Sequence, residues 1–107
     1  MSEFKHITVE ETAERLQQKQ VCIADIRDEQ SYRNGHIEGA WHLTSASLPQ
    51  FIQQVGVARP VVVVCYHGNS SQGAAQYLAQ QGFAEVYSMD GGMALWQQHH
   101  PVQSGHG

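Results

Sequence analysis

The sequence predicts an α/β fold: a parallel β-sheet with helices on both faces. Three observations predict it. Apolar runs suited to strands alternate with segments of helical period along the chain. The central runs, residues 21–26 and 61–65, are apolar nearly throughout, as strands covered on both faces are. The 107 residues, 41% of them hydrophobic, suffice for one domain with a real core and are too few for two.

Each element has its own local reason. Thr8-Val9-Glu10-Glu11 reads as a capping box. The helix it opens runs to about residue 19, with Val9, Ala13 and Leu16 on one face. Residues 21–26 form a buried strand that ends in polar Arg27-Asp28. Asp28 or Ser31 caps a short helix, which Gly35 closes. Residues 41–43 form a brief strand. Ser45 or Ser47 starts a helix through residue 54, with Leu48, Phe51, Ile52 and Val55 apolar, and Gly56 ends it. Pro60 leads into the strand 61–65. Residues 71–81 form a helix with Ala74, Ala75, Leu78 and Ala79 inward and Gly82 after its end. Residues 86–88 are a last strand, Asp90-Gly91-Gly92 a turn, and 93–98 a last helix carrying Trp96. The core spans about residues 5–98 of a single domain covering 1–107. The polar tail, 99–107, is expected to fray.

Composition excludes several classes. A net charge of −4 with few charged residues gives no basic face for nucleic acid. No apolar run approaches the ~18 residues that a membrane span needs. The start, MSEFKHITVEE, lacks the apolar core of a signal peptide. A cytoplasmic location with free thiols at Cys22 and Cys65 is therefore expected. Cys22 lies inside a strand among apolar neighbours and reads as a core residue.

Open parallel sheets bind ligands beyond the carboxyl ends of their strands. Asp25 and Cys65 stand at two such ends, and after Cys65 comes the loop Tyr66-His67-Gly68-Asn69-Ser70-Ser71. It contains no proline, so every residue offers a backbone N–H. Gly68 tolerates the positive φ of a tight curl. The helix that follows adds its positive end and unpaired N–H groups. This is an anion nest with a thiol at its base, and it should favour the reactive thiolate.

Two chemistries use such a nest. Cysteine phosphatases and arsenate reductase-like enzymes need an arginine six positions after the cysteine to grip oxyanion oxygens. Here that position is Ser71, and the loop carries no lysine or arginine. Sulfur transfer asks only that Cys65 attack a sulfane sulfur and hold it as a persulfide, which backbone donors can cradle.

The chain resembles the single-domain rhodanese family. Asp25-Ile26-Arg27 with Tyr32, Gly35-His36-Ile37 and Gly39-Ala40 is similar to the family's first signature. Cys65-Tyr66-His67-Gly68-Asn69-Ser70 resembles its active loop. Asp90-Gly91-Gly92 with Trp96 resembles its last signature. The resemblance implies a five-stranded parallel sheet between helices. It implies a ping-pong thiosulfate sulfurtransferase with Cys65 as nucleophile. The amides of residues 66–70 would cradle the persulfide, and sulfite would be released. Cyanide or a dithiol, such as a thioredoxin-like protein, would be the acceptor, and no cofactor is needed. Family members often carry basic residues directly after the cysteine. Tyr66 and His67 stand there instead, so thiosulfate affinity is expected to be modest. A catalytically silent sulfur-relay module is the remaining alternative, and the intact Cys65 argues against it.

Arg27 reads first as the partner of Asp25 or Asp28 and second as an attractor of the anion; Asp25 and Arg27 are taken as supporting residues. His36 reads as a structural histidine. His67 either tunes charge near the thiol or sits in solvent. Trp41 and Trp96 read as core or cover. Cys65 with His67 has too few partners for a zinc site. The tail histidines His99, His100 and His106 are a weak metal-binding candidate.

Overall fold

The structure is a computed structural model, and it describes residues 3–105. Five strands form one sheet: β1 (Lys5–Ile7), β2 (Cys22–Asp25), β3 (Trp41–His42), β4 (Val61–Val64) and β5 (Val86–Met89). Every strand pairing in it is parallel, in the order β1-β5-β4-β2-β3. The helices are α1 (Val9–Gln17), α2 (Glu29–Asn34), α3 (Leu48–Val55), α4 (Ser70–Gln80) and α5 (Gly92–His99).

Side chains alternate along each strand, so β4 feeds two cores at once. Val62 and Val64 join Ile23, Tyr87 and Met89 beneath α1, α2 and α5, with Tyr32, Met93 and Trp96 packed in. Val61 and Val63 join Ala24 and Val86 beneath α3 and α4, with Phe51, Ala75 and Leu78. All four valines are completely buried, which explains why the run is apolar without interruption. Phe51, also fully buried, packs edge-on to Trp41 and against Phe83. Its burial contributes roughly 1.5–3 kcal/mol.

β2 and β4 are neighbours, yet their crossovers leave in opposite directions: β2 to β3 through α2, and β4 to β5 through α4. The carboxyl ends of this pair therefore flank a crevice. Asp25 stands in register with Val64, the residue before Cys65, so Asp25 and Cys65 lie at the same end of the sheet.

The elements match the expected ones within a residue or two. Thr8 makes the predicted capping box with Glu11. α1 stops at Gln17 instead of residue 19, because Lys19 takes a left-handed conformation, φ 58°. Asp28, not Ser31, caps α2. Gly35 is extended, not left-handed; a Cβ there would meet Val102 at 3.0 Å, which accounts for the glycine sterically. Reading residue by residue missed β1, a three-residue edge strand with two exposed side chains.

The expected frayed tail is a correction. Over residues 100–105 the chain is bonded back to the fold. Gln103 exchanges two backbone hydrogen bonds with His36, at 2.8 and 2.9 Å, and the Gly105 N–H reaches the Arg33 carbonyl. Trp96 Nε1 donates to the Pro101 carbonyl. His100 packs on Trp96 and faces Glu10; His106 lies outside the described residues.

Candidate active site

β4 delivers Cys65 to the crevice as the first residue beyond the strand, 5% exposed. The loop that follows is clamped from the β5–α5 turn. The Met93 and Ala94 N–H groups, at the start of α5, donate to the Cys65 and Tyr66 carbonyls at 2.8 and 2.9 Å. Gln72 Nε2 donates to the Gly68 carbonyl at 3.0 Å. With its carbonyls held this way, the loop turns amides toward the sulfur. Two glycines permit the close approach. Gly92 has φ +58°, and a Cβ on it would lie 2.5 Å from the Tyr66 oxygen and 2.6 Å from that of Cys65. Gly68 has φ +92°, and its Cβ would lie 2.9 Å from the Gly91 nitrogen.

The sulfur sits where α4 needs an acceptor. Asn69 occupies the N-cap position, but its side chain makes no capping bond. Instead the Ser71 N–H donates to Cys65 Sγ at 3.2 Å, and the Gly68 N–H donates at 3.1 Å. Ser71 Oγ is 3.3 Å from the sulfur. Cys65 thus caps α4 with sulfur in place of the usual side-chain oxygen. Burial pushes the thiol up. The Ser71 hydroxyl and the Ser71, Gly68 and His67 amides outweigh it together, and the net shift is downward. Charge on this sulfur, present before a reaction or gained in one, is met by donors already in place.

The predicted loop residues divide by role. Gly68 and Ser71 are buried against the sulfur; Tyr66, His67, Asn69 and Ser70 are exposed. The direct bonds to Sγ therefore come from two residues, fewer than a cradle by the whole run 66–70 would supply. The amides of Tyr66, Asn69 and Ser70 have no hydrogen-bond acceptor among the described residues. Ser71 itself is fully buried, its hydroxyl 2.7 Å from that of Ser88. An arginine side chain there would have to displace that packing, so volume as well as charge separates this loop from the phosphatase pattern.

Arg27 is a structural partner. Its Nε and Nη2 bind the Asp25 carboxylate at 2.7–3.2 Å, and Nη2 also donates to the Gly35 carbonyl. The pair's side chains are 4% and 0% exposed. The exposed Tyr66 ring lies over the guanidinium, 5.8 Å from its centroid. The pair thus supports the wall beside the loop, and its cation is already neutralised. His36 is also structural: its Nδ1 donates to the Tyr32 carbonyl at 2.7 Å, and its ring stacks on Tyr32.

Cys22 stands at the opposite end of the sheet, in register with Val61. It is half-buried, not fully enclosed as expected. Burial pushes its thiol up, partly offset by Arg59. Both cysteines are free. Reading by sequence missed Ser88. The only local hint was a polar residue between Tyr87 and Met89 in a strand buried on both faces.

Comparison with known proteins places this geometry. The family profile described as "Rhodanese-like domain" matches residues 8–99. The thiosulfate sulfurtransferase GlpE of Shewanella oneidensis is 54% identical over 96 residues, covering 90% of this chain and 95% of that protein. The protein of the same name from Tolumonas auensis is 50% identical over 101 residues, covering 94% and 95%. Among solved structures, a rhodanese-related protein from Thermoplasma volcanium superposes with a TM-score of 0.79 at 24% identity, covering 94% of this chain and 98% of its own; this similarity concerns the fold alone.

Proposed function

The chain belongs to the rhodanese-like family, and on that footing we propose that it is a thiosulfate sulfurtransferase carrying the transferred sulfur on Cys65. The observation that carries the reading is the buried sulfur itself, held by two amides and a hydroxyl at the start of α4.

The Cys65 thiolate attacks the outer sulfur of thiosulfate. The S–S bond of thiosulfate breaks, and sulfite leaves with the electron pair. Cys65 then holds a persulfide anion, and the unclaimed amides of Tyr66, Asn69 and Ser70 are the donors nearest in sequence for its outer sulfur. In the second half, cyanide attacks that sulfur to give thiocyanate and returns Cys65 to thiolate. A dithiol protein of the thioredoxin kind would instead take the sulfur as its own persulfide. Its second thiol would then close a disulfide and release hydrosulfide. Attack on a sulfane sulfur by a thiolate needs no general base. We place the protein in the cytoplasm, where both thiols stay reduced.

Steady-state kinetics test the reading. Thiosulfate and cyanide varied together should give parallel double-reciprocal lines, the mark of a ping-pong enzyme. Intersecting lines, or no thiocyanate at all, would count against it.

A further inference from the structure

In the sheet register, Val63 stands beside Ser88 and Val61 beside Val86. Side chains alternate along a strand, so Ser88 faces α4 on the same side as Val61, Val63 and Cys65. There it is completely buried, and its hydroxyl lies 2.7 Å from that of Ser71. Ser71 is likewise completely buried and lies 3.3 Å from Cys65 Sγ. Ser71 is Ser88's one side-chain hydrogen-bond partner among the described residues. We propose that Ser88 is a positioning residue, whose hydroxyl holds that of Ser71 aimed at Cys65 Sγ and so favours the charged sulfur. The proposal deepens the role of the Cys65 site and rests on Cys65 being the nucleophile.

The hydrogens can be counted. With a thiol, the chain Cys65–Ser71–Ser88 has three hydrogens, on S, Oγ and Oγ, and only two links between its members. One hydrogen is left without an acceptor in the chain. With a thiolate there are two hydrogens and two links: Ser88 donates to Ser71, and Ser71 donates to the sulfur. Within this chain only the ionised form places every hydrogen, and a buried O–H without an acceptor is costly. The two bonds then point the same way and polarise each other.

Ser88 adds orientation to this count. A serine in the first turn of a helix can turn its hydroxyl back onto the helix's own carbonyls. By donating to Ser71 Oγ, Ser88 takes no hydrogen from Ser71, whose own hydrogen is then left to turn toward the sulfur.

Other ionisable groups stand near. Tyr66 and His67 lie on the loop, the Asp25–Arg27 pair at the end of β2, and Asp90, paired with His6, after β5. The first turns of α4, residues 70–75, carry no ionisable side chain. None of these groups makes a hydrogen bond to the sulfur among the described residues.

The test reads ionisation, not sulfur transfer, so it stands or falls apart from the proposed activity. In a Cys22→Ser background, the rate of Cys65 alkylation by iodoacetamide is followed from acid to alkaline pH. Ser88→Ala is nearly isosteric and should fold. It is expected to shift the profile to higher pH, slowing alkylation at neutral pH about threefold while leaving the alkaline plateau intact. Ser71→Ala should shift it further, and the double variant should match Ser71→Ala alone. A plateau that falls equally at every pH would reduce Ser88 to packing and overturn the proposal. So would an unshifted profile, or Ser88→Ala effects that simply add to those of Ser71→Ala. Circular dichroism of each variant separates these outcomes from misfolding.

Discussion

Ser71 meets Cys65 twice, through its backbone N–H at 3.2 Å from the sulfur and through its hydroxyl at 3.3 Å. One residue at the start of α4 thus brings both the helix's positive end and a side-chain donor to the thiol. The chemistry of the site and the stability of α4 are coupled through this contact.

That coupling sets a pH dependence. The Cys65 thiol ionises below its ordinary value in the folded protein. Its contribution to stability is complete above the unfolded thiol's value and is lost as pH falls through the lower folded value. Urea unfolding of the wild type and of Cys65→Ser should therefore diverge in the wild type's favour as pH rises through this window. A constant difference across it would mean that the loop donors do not favour the thiolate.

Gly92 should be intolerant of any side chain. Its φ is +58°, and a Cβ would press on the Cys65 and Tyr66 carbonyls, which the adjacent Met93 and Ala94 amides hold. Gly92→Ala is expected to cost about 1–2 kcal/mol from backbone conformation alone. It should lower kcat/KM on the order of tenfold to a hundredfold by displacing the loop. Full activity in a folded Gly92→Ala protein would show that the α5 clamp does not set the loop's geometry.

The loop offers a thiosulfate dianion little formal charge, because Arg27 is committed to Asp25. His67 is exposed on the loop that follows Cys65. His67→Lys should lower KM for thiosulfate about two- to fivefold with kcat nearly unchanged, and the gain should shrink with added salt. A change confined to kcat would instead give His67 a part in the chemical step.

The Asp25–Arg27 pair should matter for folding more than for turnover. Asp25→Ala leaves a buried guanidinium without its carboxylate, at a cost of about 3–5 kcal/mol. Asp25→Ala combined with Arg27→Met should recover much of that stability. Denaturant midpoints check both, and a mild single substitution would mean that water reaches Arg27 when Asp25 is removed.

The parts legible in the sequence are those whose causes are local. The valine run before Cys65 is apolar because β4 feeds both cores, and it could be read without knowing its neighbours. Thr8 and Glu11 cap α1 across three residues. Gly68 marked the curl, and the absence of arginine at position 71 marked the chemistry. What escaped depends on partners distant in the chain. β1 is three residues long and gains its strand character from pairing with β5. The tail is held because Gln103 finds His36. Ser88 looks like a flaw in a buried strand until α4 places Ser71 against it, 17 residues away in sequence. Arg27 had two plausible partners; Asp28 is engaged in capping α2, and Asp25 takes the guanidinium.

The most direct test of the central claim is the intact mass of the protein after incubation with thiosulfate. The wild type should gain one sulfur atom, release one sulfite for each, and return to its original mass when cyanide is added. Cys22→Ser should behave the same way, and Cys65→Ser should show none of it. An unchanged wild-type mass, or a sulfur that still attaches in Cys65→Ser, would contradict the account.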